Sequence, residues 1–354
     1  MRVSSRPMRP RRLLLPLLAV AALAAPATIA AAPRYPTVRV PADAARPKMR
    51  AQILAVNAWW VRTHSYVPCG GCMVRPPGSR ILWTYYRGQG FYPNWVRAAR
   101  DVLRRKIRGD DAGLRAGARE ILSDVTVKHL RNGLRFRVMQ SAYRAPDGTP
   151  APWRDAMGNG LVLTLVAPSL SANPTRDELD RAHRMAREFL NSFAVHWTAG
   201  GLMAKGPGRG RWYLEYAYRK GAESRVLNGF MQSLASLERF ARQAELLGAS
   251  DARWLELRDR ARDLVDRGVV ELVRVLPRYD LGPGVSKYSL TRPGPAPRRY
   301  QVYHLQLLDR LAAITYLAGD ARAVITRYRD RWGGPGYAPS ALAPDALDQV
   351  LPPG

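Results

Sequence analysis

Glu215 and Tyr216 stand side by side at the end of Trp212-Tyr213-Leu214-Glu215-Tyr216, and Val226-Leu227-Asn228-Gly229-Phe230 follows closely. A second segment holds Tyr279, Asp280, Lys287, Tyr288, Arg292, Arg298, Arg299, Tyr303 and His304. A carboxyl and a phenol together can move protons if their surroundings shift their pKa values. Tyrosines interleaved with arginines suit an acidic sugar. The rings offer stacking platforms, and guanidinium forks grip carboxylate or sulfate. The same residues also describe an ordinary amphipathic lining. His64, His129, His183, His196 and His304 have no spacing that suggests a metal, and no Gly-x-Ser-x-Gly stands out. Gly206-Pro207-Gly208-Arg209-Gly210-Arg211 lacks the strand and Lys-Ser/Thr pair of a phosphate loop, and reads as plain flexibility.

These residues need a scaffold, and helical pairs supply it. The pattern predicts hairpins from Asn94–Arg108 with Ala112–Leu130, and from Ala156–Pro168 with Thr175–Phe193. It predicts two more from Ser224–Leu247 with Asp251–Leu276, and from Tyr303–Ala318 with Asp320–Trp332. In the third, Leu227, Phe230, Met231, Leu234, Leu237, Ala241 and Ala244 share one face. Residues 133–141 alternate as a strand does. Short turns make antiparallel neighbours. The longer links, about 196–222 and 277–302, would then gather at one end and build a groove. The expected fold is mainly α: an incomplete α/α toroid of about four helical hairpins with a few short strands. The Pro-, Gly- and aromatic-rich residues 33–90 read as an extended arm with one short helix near Met49–Arg62. Residues 91–335 form the domain and 336–354 a tail.

Residues 1–32 read as an export signal: an arginine-rich start, then apolar residues from Leu13 ending in small ones. An uncleaved membrane anchor is the alternative. In an exported chain, Cys69-Gly70-Gly71-Cys72 is expected to be a local disulfide, remote from the site. A metal there would need about four ligands, and only His64 is near. Fifty-six basic against 28 acidic residues give a net charge of +28, almost all of it arginine. A GC-rich coding bias accounts for such a skew, and so does a polyanionic partner. Export argues against nucleic acid. An anionic, uronate-containing polysaccharide fits both charge and export, and the chain is compatible with a homodimer.

The order and spacing of several motifs resemble the C-terminal catalytic region of the D-glucuronyl C5-epimerases. These are Gly90-Phe91-Tyr92-Pro93-Asn94, Pro152-Trp153 with Met157-Gly158-Asn159-Gly160, Glu215-Tyr216 and Asn228-Gly229. Tyr279-Asp280-x-Gly282, Tyr288 and Tyr303-His304 follow in family order. Those enzymes invert C5 of a uronic acid inside a polysaccharide such as heparosan or heparan. The resemblance implies Glu215, Tyr216, Tyr288 and Tyr303 as the acid/base set. It implies Trp153, Asn228, Tyr279 and His304 as substrate-binding, with Arg292, Arg298 and Arg299 for the carboxylate. It calls for no metal and no redox cofactor. Departures are Asn159 where Gln is usual, Leu307 for a second His, Arg310 for a Gln, and an arginine displaced to Arg292. Most of the β-rich N-terminal domain of the animal enzymes is missing. A uronate lyase and a non-catalytic polysaccharide-binding protein are the competing readings.

Overall fold

The structure is a computed structural model; it describes residues 35–40, 45–146, 148–218 and 224–334. The segments read as signal and tail lie outside these residues. The described chain is mainly helical. Helix α1 spans Pro47–Thr63, and strands β1 (Met73–Val74), β2 (Trp83–Tyr86) and β3 (Gly90–Pro93) form an antiparallel sheet beside it. Helices α2 (Trp95–Ile107) and α3 (Asp111–Ser123) follow, then β4 (Thr126–His129), β5 (Arg135–Val138), β6 (Gln140–Ser141) and β7 (Trp153–Arg154). Next are α4 (Ala156–Leu163), α5 (Arg176–Ala194), β8 (Met203–Lys205) and β9 (Arg211–Tyr213). The chain ends in α6 (Leu227–Gly248), α7 (Arg253–Tyr279), α8 (Arg298–Ala312) and α9 (Gly319–Gly333).

Four consecutive hairpins form: α2 with α3, α4 with α5, α6 with α7 and α8 with α9. Helix α2 packs on α4, α4 on α6 and α6 on α8; behind them α5 packs on α7 and α7 on α9. The front row is the more buried. Every residue of α4 is buried, as expected for a helix without a polar face. Local signals start the helices. Asn94 caps α2 by accepting from the Arg97 N–H at 3.0 Å, and Thr175 with Glu178 forms a capping box on α5.

The boundaries differ from the sequence expectation for physical reasons. The helix expected to run to Leu130 stops at Ser123, because Val125, Thr126 and Val127 favour the pleated β4 that pairs with β5. The expected strand 133–141 breaks at Met139, whose N–H is taken by Asn159 Oδ1 at 2.9 Å. Helix α8 begins at Arg298 rather than Tyr303, directly after Pro297. Residues read as an extended arm contain α1 and the three-stranded sheet. Trp60, Trp83, Tyr85 and Phe91 are buried in the same apolar cluster as the helices.

The loop from Gly206 to Gly210 is not merely flexible. The amides of Gly208 and Gly210 donate to the two oxygens of the fully buried Glu271 carboxylate, each at 2.7 Å. A Cβ on Gly206 would stand 2.0 Å from Glu271 Oε1, so only glycine admits this approach. The clasp ties hairpin β8–β9 to α7 and aims the following residues, Leu214 to Ala217. The two long links do meet at one end. Trp212 stacks near Tyr279, and Arg278 donates to the Pro207 carbonyl at 3.3 Å; beside them the Leu227 N–H at the start of α6 donates to the Tyr288 carbonyl at 3.0 Å. No helix among the described residues is long and apolar enough to cross a membrane.

Candidate active site

Three segments converge at the start of α6. Strand β7 pairs with β6, and Arg154 also bridges Ala217, which brings Leu214–Ala217 alongside the start of α4. Trp153 is buried there. Its Nε1 donates to the Tyr143 carbonyl at 2.7 Å, and its ring meets Tyr216 edge-on at 5.1 Å. The first turn of α6 lies against Glu215: a Cβ on Gly229 would be 2.3 Å from Glu215 Oε2. The Asn228-Gly229 pair is therefore steric in part, since the helix can approach the carboxylate only without a side chain. The link after α7 brings Tyr288 to the other side of this turn.

A cleft of about 770 Å³ opens here, lined by Trp153, Glu215, Tyr216, Asn228, Arg299 and Tyr303 among others. A second hollow of about 310 Å³ continues past Tyr216 and Arg299 to Tyr288 and Arg292. All four expected acid/base groups thus border these two neighbouring hollows, which share Tyr216 and Arg299 in their walls. Arg87, Arg97, Arg100 and Arg144 add positive charge to its walls. Gly70 and Gly71 also line it. Cys69 and Cys72 are disulfide-bonded, with Cα atoms 5.2 Å apart. The expectation of a disulfide remote from the site is corrected, because the bonded loop forms part of the wall. Gly71 accepts from Arg97 at 2.8 Å.

The expected acid/base groups fall into two sets with different electrostatics. The Tyr216 hydroxyl lies within hydrogen-bonding reach of Glu215 and Tyr288. Burial pushes the Tyr216 phenol well above its usual pKa, and the Glu215 and Tyr288 charges push the same way. Burial also raises Tyr288; Glu215 and Tyr300 add to the rise, and Arg292, 5.7 Å over its ring, opposes it. Tyr216 and Tyr288 are therefore held protonated. Tyr303 stands in the other set. The Arg100 guanidinium lies 4.9 Å over its ring and donates to its oxygen, while the Tyr303 hydroxyl donates to Gln232 Oε1. A cation donating to a phenol oxygen stabilises negative charge there.

The other expected residues divide. Trp153, Asn228 and Arg299 line the cleft and Arg292 the adjoining hollow. Arg298 is exposed on the first turn of α8 and is not among the lining residues. Tyr279 and His304 are corrected to structural roles. Tyr279 is fully buried, donates to the Arg225 carbonyl at 2.6 Å and stacks near Trp212. His304 is fully buried, with Nδ1 2.8 Å from Ser286 Oγ, and burial lowers its pKa to about 3, which leaves it neutral. Both fix the 277–302 link from beneath, a depth that residue order does not reveal. Asn159 clamps Met139 to Ser192. Leu307 is fully buried, and Arg310 borders a separate small cavity with Glu238 and Arg239.

Sequence reasoning missed Arg100, Gln232, Tyr86, Tyr143 and Asp155. Arg100 and Gln232 read as ordinary positions on amphipathic helices. Tyr86 and Tyr143 stack with centroids 3.8 Å apart and share contacts with Asn94. The one available signal was Asp155, an acid between Trp153 and the first residue of α4 in a motif already singled out. Among the described residues no group of three or more His, Cys, Asp or Glu side chains gathers as a metal site.

Comparison with known proteins bears on this arrangement. The chain is 15% identical to the endoglucanase Cel10, a family 8 glycosyl hydrolase from Klebsiella pneumoniae, covering 72% of this chain and 87% of that one. The TM-score is 0.33, too low to carry an argument. A D-glucuronyl C5-epimerase of Caenorhabditis elegans is 28% identical over 198 residues, 54% of this chain and 30% of that protein. The chain therefore spans under a third of the length of that curated relative. Residues 131–334 match the family described as D-glucuronyl C5-epimerase C-terminus. Glu215, Tyr216, Tyr288 and Tyr303 all fall inside the match, whereas the wall from Gly70 to Arg100 lies before it. With more than half of its length in that match, the chain belongs to the D-glucuronyl C5-epimerase C-terminal family.

Proposed function

We propose that this chain epimerises D-glucuronate residues to L-iduronate at C5 within an acidic polysaccharide, on an incomplete α/α toroid. The observation that carries this reading is the pairing of two unlike phenol sets on one arginine-walled cleft. The C5 hydrogen lies α to a carboxylate and is weakly acidic. Its removal leaves an enolate-like dianion, which needs donors already in place. Inversion needs one group to take the proton and another, on the opposite face, to return one.

The electrostatics divide these roles. Tyr303, with Arg100 at its oxygen, is the group suited to accept the proton as a phenolate. Tyr216 and Tyr288, kept protonated by burial and by Glu215, are suited to deliver one to the other face. The C5–H bond breaks, its electron pair spreads into the carboxylate, and a new C–H bond forms from the second phenol. Glu215 relays a solvent proton back to that phenolate, and Tyr303 releases the proton it took to solvent, which returns both groups to their starting states. Arg299 and Arg292 hold the polymer's carboxylates. The proton leaves and returns without a hydride, so no redox cofactor enters the route. An exported location, from the N-terminal segment, fits such a substrate.

Incubation with heparosan in heavy water tests the proposal. Deuterium is expected at C5, with part of the glucuronate converted to iduronate and no shortening or new unsaturated end. Tyr303→Phe and Tyr288→Phe are expected to lose about 10²–10⁴-fold in exchange while keeping much of the binding. Full exchange in both variants would refute the assignment. An ultraviolet-absorbing double bond in the product would identify β-elimination instead.

A further inference from the structure

Asp155 is, with Glu215, a carboxylic acid in the wall of an arginine-rich cleft. It is 5% exposed, it lines the cleft, and its Oδ1 has no hydrogen-bond partner. Its position follows from the strand register. Arg154 and Ala217 exchange both backbone hydrogen bonds, at 3.0 and 2.9 Å, so Asp155 and Tyr216 are the next residues along the two chains. Such neighbours project to the same face, and both residues do line the cleft. Gly158, in the first turn of α4, makes room for the acid: a Cβ there would be 2.8 Å from Asp155 Oδ2. The amides of Met157 and Gly158 lie close enough to favour an ionised Asp155, yet complete no capping bond.

The titratable and charged groups around it come from each neighbouring element. Tyr86 on β2 and Tyr143 before β7 are close enough to feel its charge, and the same cleft wall carries Arg87 after β2, Arg97 and Arg100 on α2, Arg144 before β7, Glu215 and Tyr216 after β9, and Arg299 on α8. None makes an ion pair with Asp155 among the described contacts. An ionised Asp155 would face a bound uronate carboxylate as a like charge in a dry wall, an arrangement that favours taking up a proton. Burial, opposed by the Gly158 and Met157 amides, already raises its pKa to about 7 in the free protein.

Building on the proposed function, we infer that Asp155 binds the substrate as a neutral carboxylic acid and donates its proton in a hydrogen bond to the uronate carboxylate. No proton is transferred to product. The donor instead meets the second charge that develops on that carboxylate when C5 is deprotonated. Substrate binding therefore draws one proton from solvent when the free carboxyl is ionised.

Titration calorimetry of heparosan with the full chain, at constant ionic strength and in buffers of different ionisation enthalpy, reads this directly. The wild-type Kd is expected to rise about tenfold from pH 6 to pH 8, with proton uptake approaching one at pH 8. No histidine lines the cleft to supply the same limb. Asp155→Asn keeps a donor, so its Kd is expected to stay flat across that range with no proton uptake. Asp155→Ala is expected to bind about ten- to a hundredfold more weakly at pH 6. A flat wild-type Kd with no proton uptake overturns the inference, and this measurement needs no variant to fold. So does an Asp155→Asn protein that keeps the wild-type pH slope. Binding with the expected pH dependence but no deuterium exchange would overturn the epimerase proposal and leave Asp155 standing. Absence of heparosan binding at both pH values would overturn both.

Discussion

Replacing Gly229 with alanine should separate stability from turnover. Gly229 lies in the first turn of α6, where alanine is intrinsically favoured by about 1 kcal/mol. Against this, the new methyl would stand 2.3 Å from Glu215 Oε2 and 2.7 Å from Glu215 Cβ. A comfortable contact needs roughly 3.5 Å, so the carboxylate must retreat by about 1 Å. Overpacking of this kind costs about 1–3 kcal/mol. The net effect on folding is between neutral and about 2 kcal/mol destabilising, or a fall in Tm of a few degrees for a chain of this size. The effect on turnover is larger. Glu215 is hydrogen-bonded to Tyr216 and acts on Tyr288 through its charge. A displacement of about 1 Å at such a site costs on the order of 100-fold. Deuterium exchange into heparosan and thermal melting, run on the same preparation, provide the two readouts. Gly319→Ala, also in the first turn of a helix but with a Cβ that meets nothing within 4 Å, is the control: it should leave exchange unchanged and melt no lower than wild type. A Gly229→Ala protein with wild-type exchange would refute the claim that the α6 turn positions Glu215.

Two further outcomes follow from the cleft wall. The Cys69→Ser, Cys72→Ser double variant should raise KM several-fold with little change in kcat, because the freed Gly70–Gly71 loop no longer fixes Arg97. An unchanged KM would return the disulfide to a purely structural role. Asp155→Asn should stabilise the free protein above neutral pH. Burial lifts the folded carboxyl to about 7, above the unfolded value near 4, so wild type loses stability as pH rises between them. Asparagine also serves as an N-cap, which keeps the start of α4 intact. Melting curves at pH 5 and pH 8 check the sign. An advantage for the variant that is no larger at pH 8 than at pH 5 would contradict the buried, unpaired acid.

The hairpins were legible because apolar periodicity and short turns are local. The stripe from Leu227 to Ala244 lies inside α6, and all its members are buried. Glu215, Tyr216, Tyr288 and Tyr303 were legible through motif order. Burial depth was not. Tyr279 and Tyr288 look alike in sequence, yet the first is under the 277–302 link and the second lines a hollow beside the cleft. The arginines were the least readable. Arg298 and Arg299 are adjacent, but only Arg299 reaches the cleft. Arg100, which touches Tyr303, lies 203 positions away along the chain.

That separation bears on how the site is built. The Glu215–Tyr216–Tyr288 set is held in large part by backbone pairing around the start of α6: Arg154 with Ala217, Val226 with Ser289, and Leu227 with Tyr288. Backbone pairing tolerates sequence change, since any residue supplies the same donors and acceptors. The Tyr303 side depends instead on side chains from α2 and α6, Arg100 and Gln232. It is the more easily altered half, and it is partly built from residues before the region matched to the family. Tyr216 and Tyr288 are fixed within the region matched to the family, whereas Tyr303 takes its cation from α2, the helix that follows the N-terminal sheet.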